Sequence, residues 1–206
     1  MAESYIIVKY YSTATGLPSG ENVVDLGDNK RKIIIPPNIT DLSYMFGEAA
    51  DDNGDPIPAG YGPFKKDQIE YIDIRGFDAT NITSMYNMFF GCTTPKIIGL
   101  SNLSNPNCTN TAMMFRYCSN LKEIDVRNMT ITANSDEMFA FSGLQTLTLG
   151  GNAVALGKYV TSGCSKWTKT YVYSNYIGTN NFTFGGNEYG DLYVPSSFMM
   201  GPVNSG

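Results

Sequence analysis

The feature that most constrains this chain is a repeated Met-Phe pair, at Met45-Phe46, Met88-Phe89, Met114-Phe115 and Met138-Phe139. Short apolar runs follow the later pairs: Pro95 to Leu100, Leu121 to Val126 and Leu144 to Leu149. Taking the central residue of each run, with related runs on either side, gives Ile72, Ile98, Ile124, Leu147, Thr170 and Leu192, at steps of 26, 26, 23, 23 and 22 residues. A unit of this size has one apolar strand and cannot bury it alone. Units must stack, so that their backbones pair and their apolar rows merge into one core.

The flanking pattern apolar-x-x-apolar-x-apolar holds at Ile69/Ile72/Ile74, Leu121/Ile124/Val126 and Leu144/Leu147/Leu149. It weakens at Trp167/Thr170/Val172 and at Pro95/Ile98/Leu100. A period of about 20–29 residues with this pattern is that of leucine-rich repeats. The expected fold is therefore a leucine-rich-repeat solenoid of about six coils. A parallel β-sheet forms one face, short helical turns carry the Met and Phe side chains opposite, and an N-terminal β-hairpin caps the stack.

In chain order, residues 1–30 read as that hairpin cap or as an attachment segment. Tyr5 to Tyr10 alternates as a strand, a Gly/Pro/Ser turn spans 16–20, and Asn22 to Leu26 is a second short run. Residues 31–196 are the solenoid, interrupted by a polar insertion at 47–68, and 197–206 are a C-terminal tail.

Composition narrows the chemistry. The formal charge of -5 leaves no basic surplus for nucleic acid. No apolar run of about 18 residues is present to span a bilayer. The apolar run at Tyr5-Ile6-Ile7-Val8 is too short for the core of a secretory signal. The chain has no histidine, which removes the commonest general base and the usual nucleophile pairs. Its four cysteines form no Cys-x-x-Cys pair, so no zinc site, other metal site or cofactor is expected.

Other motifs read as structural. Asp51-Asp52-Asn53-Gly54-Asp55 lacks the Gly and Glu spacing of an EF-hand loop and reads as an acidic turn. Cys92, Cys118 and Cys164 each lie three residues before a strand position and read as buried thiols, as does Cys108. The sequons at Asn38, Asn81, Asn107, Asn128 and Asn181 read mostly as the repeat's own Asn-x-Thr turns.

Alternation with the inward Ile72 and Ile74 puts the opposite strand positions on the surface. The candidate binding residues of this outward face are Tyr71, Asp73, Arg75, Glu123, Asp125, Arg127, Lys169, Tyr171 and Tyr173. Tyr, Arg and carboxylates together have the composition of a contact surface.

The repeat resembles the BspA-like leucine-rich repeats of bacterial surface proteins, in their Asn-x-Thr-x-Met-x-x-Met-Phe-x-x-Cys variant. Asn81-Ile82-Thr83-Ser84-Met85-Tyr86-Asn87-Met88-Phe89-Phe90-Gly91-Cys92 follows that pattern, and Met114-Phe115-Arg116-Tyr117-Cys118 follows its second half. The resemblance covers roughly 31–196 and implies a solenoid used for adhesion or protein contact rather than catalysis.

The expected role is a non-enzymatic interaction or structural module at the surface of a phage virion, where a protein released by lysis needs no export signal. Its partners are then other virion subunits or a host surface target, and homo-oligomers fit the same reading. The alternative is a bacterial cell-surface adhesion protein, or one secreted by a signal-independent route. A carbohydrate-active enzyme working through carboxylates is the second alternative.

Overall fold

The structure, a computed structural model, describes residues 3–47, 66–93, 96–132, 134–150, 155–166, 168–173, 176–179, 191–194, 196 and 199–200. The acidic run at 51–55, Trp167, Asn181 and residues 201–206 lie outside these, as does most of the 47–68 insertion.

The described residues form twelve strands: β1 (Tyr5–Tyr10), β2 (Val23–Gly27), β3 (Lys30–Ile34), β4 (Ile69–Asp73), β5 (Ile97–Ile98), β6 (Glu123–Val126), β7 (Thr146–Leu149), β8 (Ala155–Leu156), β9 (Lys169–Val172), β10 (Tyr176–Thr179), β11 (Asp191–Tyr193) and β12 (Met199–Met200). They form three sheets. A mixed five-stranded sheet has the order β2-β3-β1-β4-β5, a parallel four-stranded sheet β11-β9-β7-β6, and a parallel three-stranded sheet β12-β10-β8.

This architecture of separate mixed and parallel sheets with almost no helix overturns the expected leucine-rich-repeat solenoid, and it does so in three respects. The first is the N-terminal segment. Strand β1 does not form a cap by pairing with the run after the turn; it lies inside the mixed sheet, antiparallel to both β3 and β4. The hairpin is instead β2–β3, turned by Asp28 (φ 49°) and Asn29 (φ 53°), which supply the left-handed pair that a tight hairpin requires. Alternation explains why β1 sits inside: Ile6, Val8 and Tyr10 are fully buried on one face.

The second correction concerns the strands expected in one sheet. Ile72 and Ile98 belong to the mixed sheet, whereas Ile124 and Leu147 belong to the four-stranded one. Ile72 pairs with Ile97, not Ile98. Strand β5 is only two residues long because Gly99 turns left-handed (φ 86°) and Leu100–Asn102 form a 3-10 turn. Asn105, fully buried, spans the resulting gap. Its side chain accepts from the Thr130 N–H at 2.8 Å and donates to the Thr130 carbonyl at 3.2 Å, standing in for backbone pairing.

The third correction concerns the expected helical turns. Among the described residues the only helical pieces are two three-residue 3-10 turns, Lys66–Gln68 and Leu100–Asn102. The Met-Phe segments are non-helical turns, for two physical reasons. One residue in each is left-handed: Tyr44, Asn87, Met113 and Glu137, with Tyr159 at the matching place further on. L-residues cannot continue an α-helix through that conformation. Alternate backbone N–H groups, those of the left-handed residues among them, also point sideways to the adjacent segment instead of back along their own. Tyr44 donates to the Tyr86 carbonyl, Asn87 to Ala112, Met113 to Asp136 and Glu137 to Lys158, all at 2.8–3.1 Å.

The core runs between these turns and the strands. Phe46, Phe89, Phe115 and Phe139 stack in register, with successive centroids 5.5, 5.3 and 5.7 Å apart and rings within 11° of parallel. Ile124, Leu147 and Val126 pack inside with them, as do the buried thiols. The Cys118 and Cys164 sulfurs each lie 3.0 Å from a backbone carbonyl, of Phe89 and Phe139 respectively. Thr83, Thr109 and Thr132 hydroxyls donate to the carbonyls of Thr40, Thr83 and Thr109, and the Asn107 and Asn128 amides donate to Thr80 and Ser101. These side chains satisfy main-chain groups between strands, which is the use that the Asn-x-Thr turns suggested.

Candidate functional site

The strands set the nine residues expected to face outward at different places, and Asp73, with 8% exposure, is buried rather than outward. Tyr71, Asp73 and Arg75 lie on or just after β4 in the mixed sheet. Glu123, Asp125 and Arg127 lie on or after β6, and Lys169, Tyr171 and Tyr173 on or after β9, both in the four-stranded sheet. The sheet break at β5 therefore separates the first three from the other six.

The four-stranded sheet is in register at Glu123↔Thr146↔Lys169↔Asp191 and at Asp125↔Thr148↔Tyr171↔Tyr193. That register stacks Tyr171 on Tyr193, with centroids 4.7 Å apart and planes 16° from parallel. One row on, Arg127 and Tyr173 meet across Gly150, the guanidinium carbon 5.1 Å from the ring centroid. A glycine between them is required, because a Cβ at Gly150 would fall on the Arg127 backbone. Tyr173 is 60% exposed and Tyr193 45%.

The two Asp-x-Arg sequences build the same fork. At Asp73/Arg75 the carboxylate accepts from the Arg75 backbone N–H at 3.1 Å, from Nε at 2.9 and 3.1 Å, and from an Nη at 2.6 Å. At Asp125/Arg127 the corresponding distances are 3.2, 3.0, 3.0 and 2.5 Å. The Arg75 fork holds the Asp73 carboxyl below the usual carboxylate range, chiefly through the side-chain hydrogen bond. Each fork neutralises its own charge and fixes a planar guanidinium at the surface, so this face offers rigid aromatic and guanidinium planes rather than a net charge.

A second exposed cluster escaped the outward-strand reasoning. Two residues after each core Phe of the middle turns the chain is again left-handed, at Gly91, Tyr117 and Phe141, and likewise at Gly163, two residues after Thr161, which takes the place of the Phe. Glycine fits that conformation freely, whereas other L-residues pay roughly 1–2 kcal/mol. Tyr117 and Phe141 nevertheless occupy it, remain 43% and 44% exposed, and stack at 5.2 Å. Phe90 meets Tyr117 edge-on at 5.4 Å, and Tyr159 is 58% exposed further along. Arg116 lies among the rings, 4.8 Å from Tyr117, 5.5 Å from Phe141 and 6.0 Å from Phe90, with its Nε 3.0 Å from Glu137. The signal in the sequence was the column Gly91/Tyr117/Phe141/Gly163, where two aromatics stand between glycines, the residue the backbone prefers.

A cleft of ≈ 240 Å³ lies between the mixed sheet and the first repeat, lined mainly by Ile34, Ile35, Pro36, Pro37, Ile39 and Ile82, with Glu3 and Asp78 at its edge. Its carboxylates are engaged: Glu3 pairs with Lys32, and hydrogen bonds from Thr80 hold Asp78 below its ordinary pKa. Among the described residues no group of three or more His, Cys, Asp or Glu side chains is placed to hold a metal ion. No family model, curated protein or solved structure matches the chain.

Proposed function

We propose that this chain is a non-enzymatic interaction module that binds a protein partner through the tyrosine–arginine face of its four-stranded sheet. The observation that carries this reading is the pair of fixed contacts on that face, Arg127 against Tyr173 and Tyr171 against Tyr193. Tyrosine and arginine are enriched among the few residues that carry most of the binding energy at protein interfaces. Side chains already held by stacking and by the Asp125 fork lose little freedom on binding. The setting we propose is the surface of a phage particle, the role suggested by the repeat's resemblance to surface-protein repeats together with this contact chemistry.

Two measurements test the reading. An antibody against the folded chain should label intact particles; labelling of the producing bacterium's surface instead would move the assignment to an adhesion protein. Replacing Arg127, Tyr171 and Tyr173 together by Ala should remove binding to the assembly or target while the fold is retained. Unchanged binding by that folded variant would exclude this face.

A further inference from the structure

We propose a second binding site, distinct in its residues from the sheet face: Arg116, set among Phe90, Tyr117 and Phe141, takes a partner's carboxylate adjoining an apolar group, as an acidic peptide segment with an aromatic residue would present. Three observations lead here. Repeat architecture does not ask for these side chains, since the places equivalent to Arg116 hold Gly47, Phe90, Ala140 and Ser162, and those equivalent to Tyr117 and Phe141 hold Gly91 and Gly163. Tyr117 and Phe141 therefore put exposed, stacked rings at turn places that the flanking segments fill with glycine.

The third observation is the poor satisfaction of the Arg116 guanidinium. Glu137 faces only its Nε side. The contacts of its two Nη groups are the Met113 sulfur at 3.6 Å, a weak acceptor, and the Tyr117 hydroxyl at 3.4 Å, long for an N–H···O bond. A guanidinium presents its paired Nη edge as a fork suited to a planar carboxylate. Three rings lie 4.8–6.0 Å from it and give the fork an apolar surround. The stacked rings turn edges rather than faces outward, with Phe141 lying over Gly163, which disfavours a sugar stacked flat on them. Charge complementarity and apolar surroundings together select the acidic, aromatic segment.

The test uses the full chain and two small probes, N-acetylphenylalanine as its carboxylate and N-acetylphenylalanine amide, titrated by NMR. The carboxylate should give saturable shifts at Arg116, Tyr117 and Phe141, and bind about tenfold more tightly than the amide, as a charge-assisted hydrogen bond implies. Arg116→Gln should abolish that preference. Tyr117→Gly, which the left-handed backbone accommodates, should weaken both probes while leaving the fold intact. Absence of saturable shifts with the wild-type chain would overturn the site. So would equal affinity for acid and amide, or an Arg116→Gln protein that keeps the preference.

Discussion

Gly150 lies against the backbone of Arg127 so closely that a Cβ there would stand 1.5 Å from the Arg127 carbonyl oxygen. No side-chain rotation relieves a clash with main chain, so the two strands would have to move apart. Gly150→Ala should therefore destabilise by about 2–3 kcal/mol or more, at the upper end of overpacking effects. Gly27→Ala is the internal contrast. Nothing lies within 4 Å of a Cβ there, and only its left-handed φ of 74° resists the change. It should cost about 1 kcal/mol. Urea unfolding of both variants decides the point: equal losses would mean that packing across Gly150 does not hold these strands.

Phe115 occupies the middle of the four-ring stack and is fully buried. Truncation removes contacts on both ring faces at once, and the flanking Phe89 and Phe139 are held by their own turns. Phe115→Ala should then cost about 3–5 kcal/mol, the range for large-to-small core changes. A variant that unfolds at the same urea concentration as the parent would show that the stack is not a stabilising core.

Much of the packing was legible because it follows from period. The spacing that sets Ile124, Leu147, Thr170 and Leu192 level is also the pairing register of β6, β7, β9 and β11. What spacing could not show is where a ladder stops. Gly99 and Asn105 look like ordinary turn residues, yet one bends the chain out of β5 and the other replaces a strand pair with its side chain. Nor does periodicity distinguish a helical turn from a left-handed one, because both carry Met and Phe inward at the same spacing. The strand candidates were found by alternation, which applies to strands alone. Arg116, Tyr117 and Phe141 lie on turns, where alternation does not apply and only a comparison of matching turn places picks them out.

The Asp73 carboxyl gives the chain a defined response to acid. Hydrogen bonds from Arg75 lower its pKa in the folded state. A carboxylate lowered in this way contributes stability that is fully present above its unfolded value of about 3.9 and is lost as pH falls through the folded value. Stability should be flat in this contribution from pH 7 to about 5 and decline below about pH 4. In Asp73→Asn the baseline drops and the decline becomes shallower. An acid limb equally steep in the variant would assign it to other carboxylates, such as Asp28, which Lys9 lowers in the same direction.

The four cysteines are all buried, and burial pushes the Cys108 and Cys164 thiols upward from their ordinary pKa. Thiolate is the reacting species, so these groups should be inert in the folded chain at neutral pH. With a thiol-specific colorimetric reagent, the native protein should release almost no colour on the timescale in which urea-unfolded protein titrates all four thiols. Rapid reaction of the native chain would mean that the cysteine column opens readily. The same column also predicts which substitution it accepts. Ser142 stands at the place equivalent to Cys118, one repeat on, and its hydroxyl lies 3.5 Å from the Cys164 sulfur. Cys118 donates to the Phe89 carbonyl, a role that a serine hydroxyl can also fill. Cys118→Ser should therefore stay within about 1 kcal/mol of the parent, while Cys118→Leu, larger and without a donor, should lose about 1–3 kcal/mol by overpacking. The reverse order of stabilities would show that the column selects for apolar volume and not for the hydrogen bond to the neighbouring backbone.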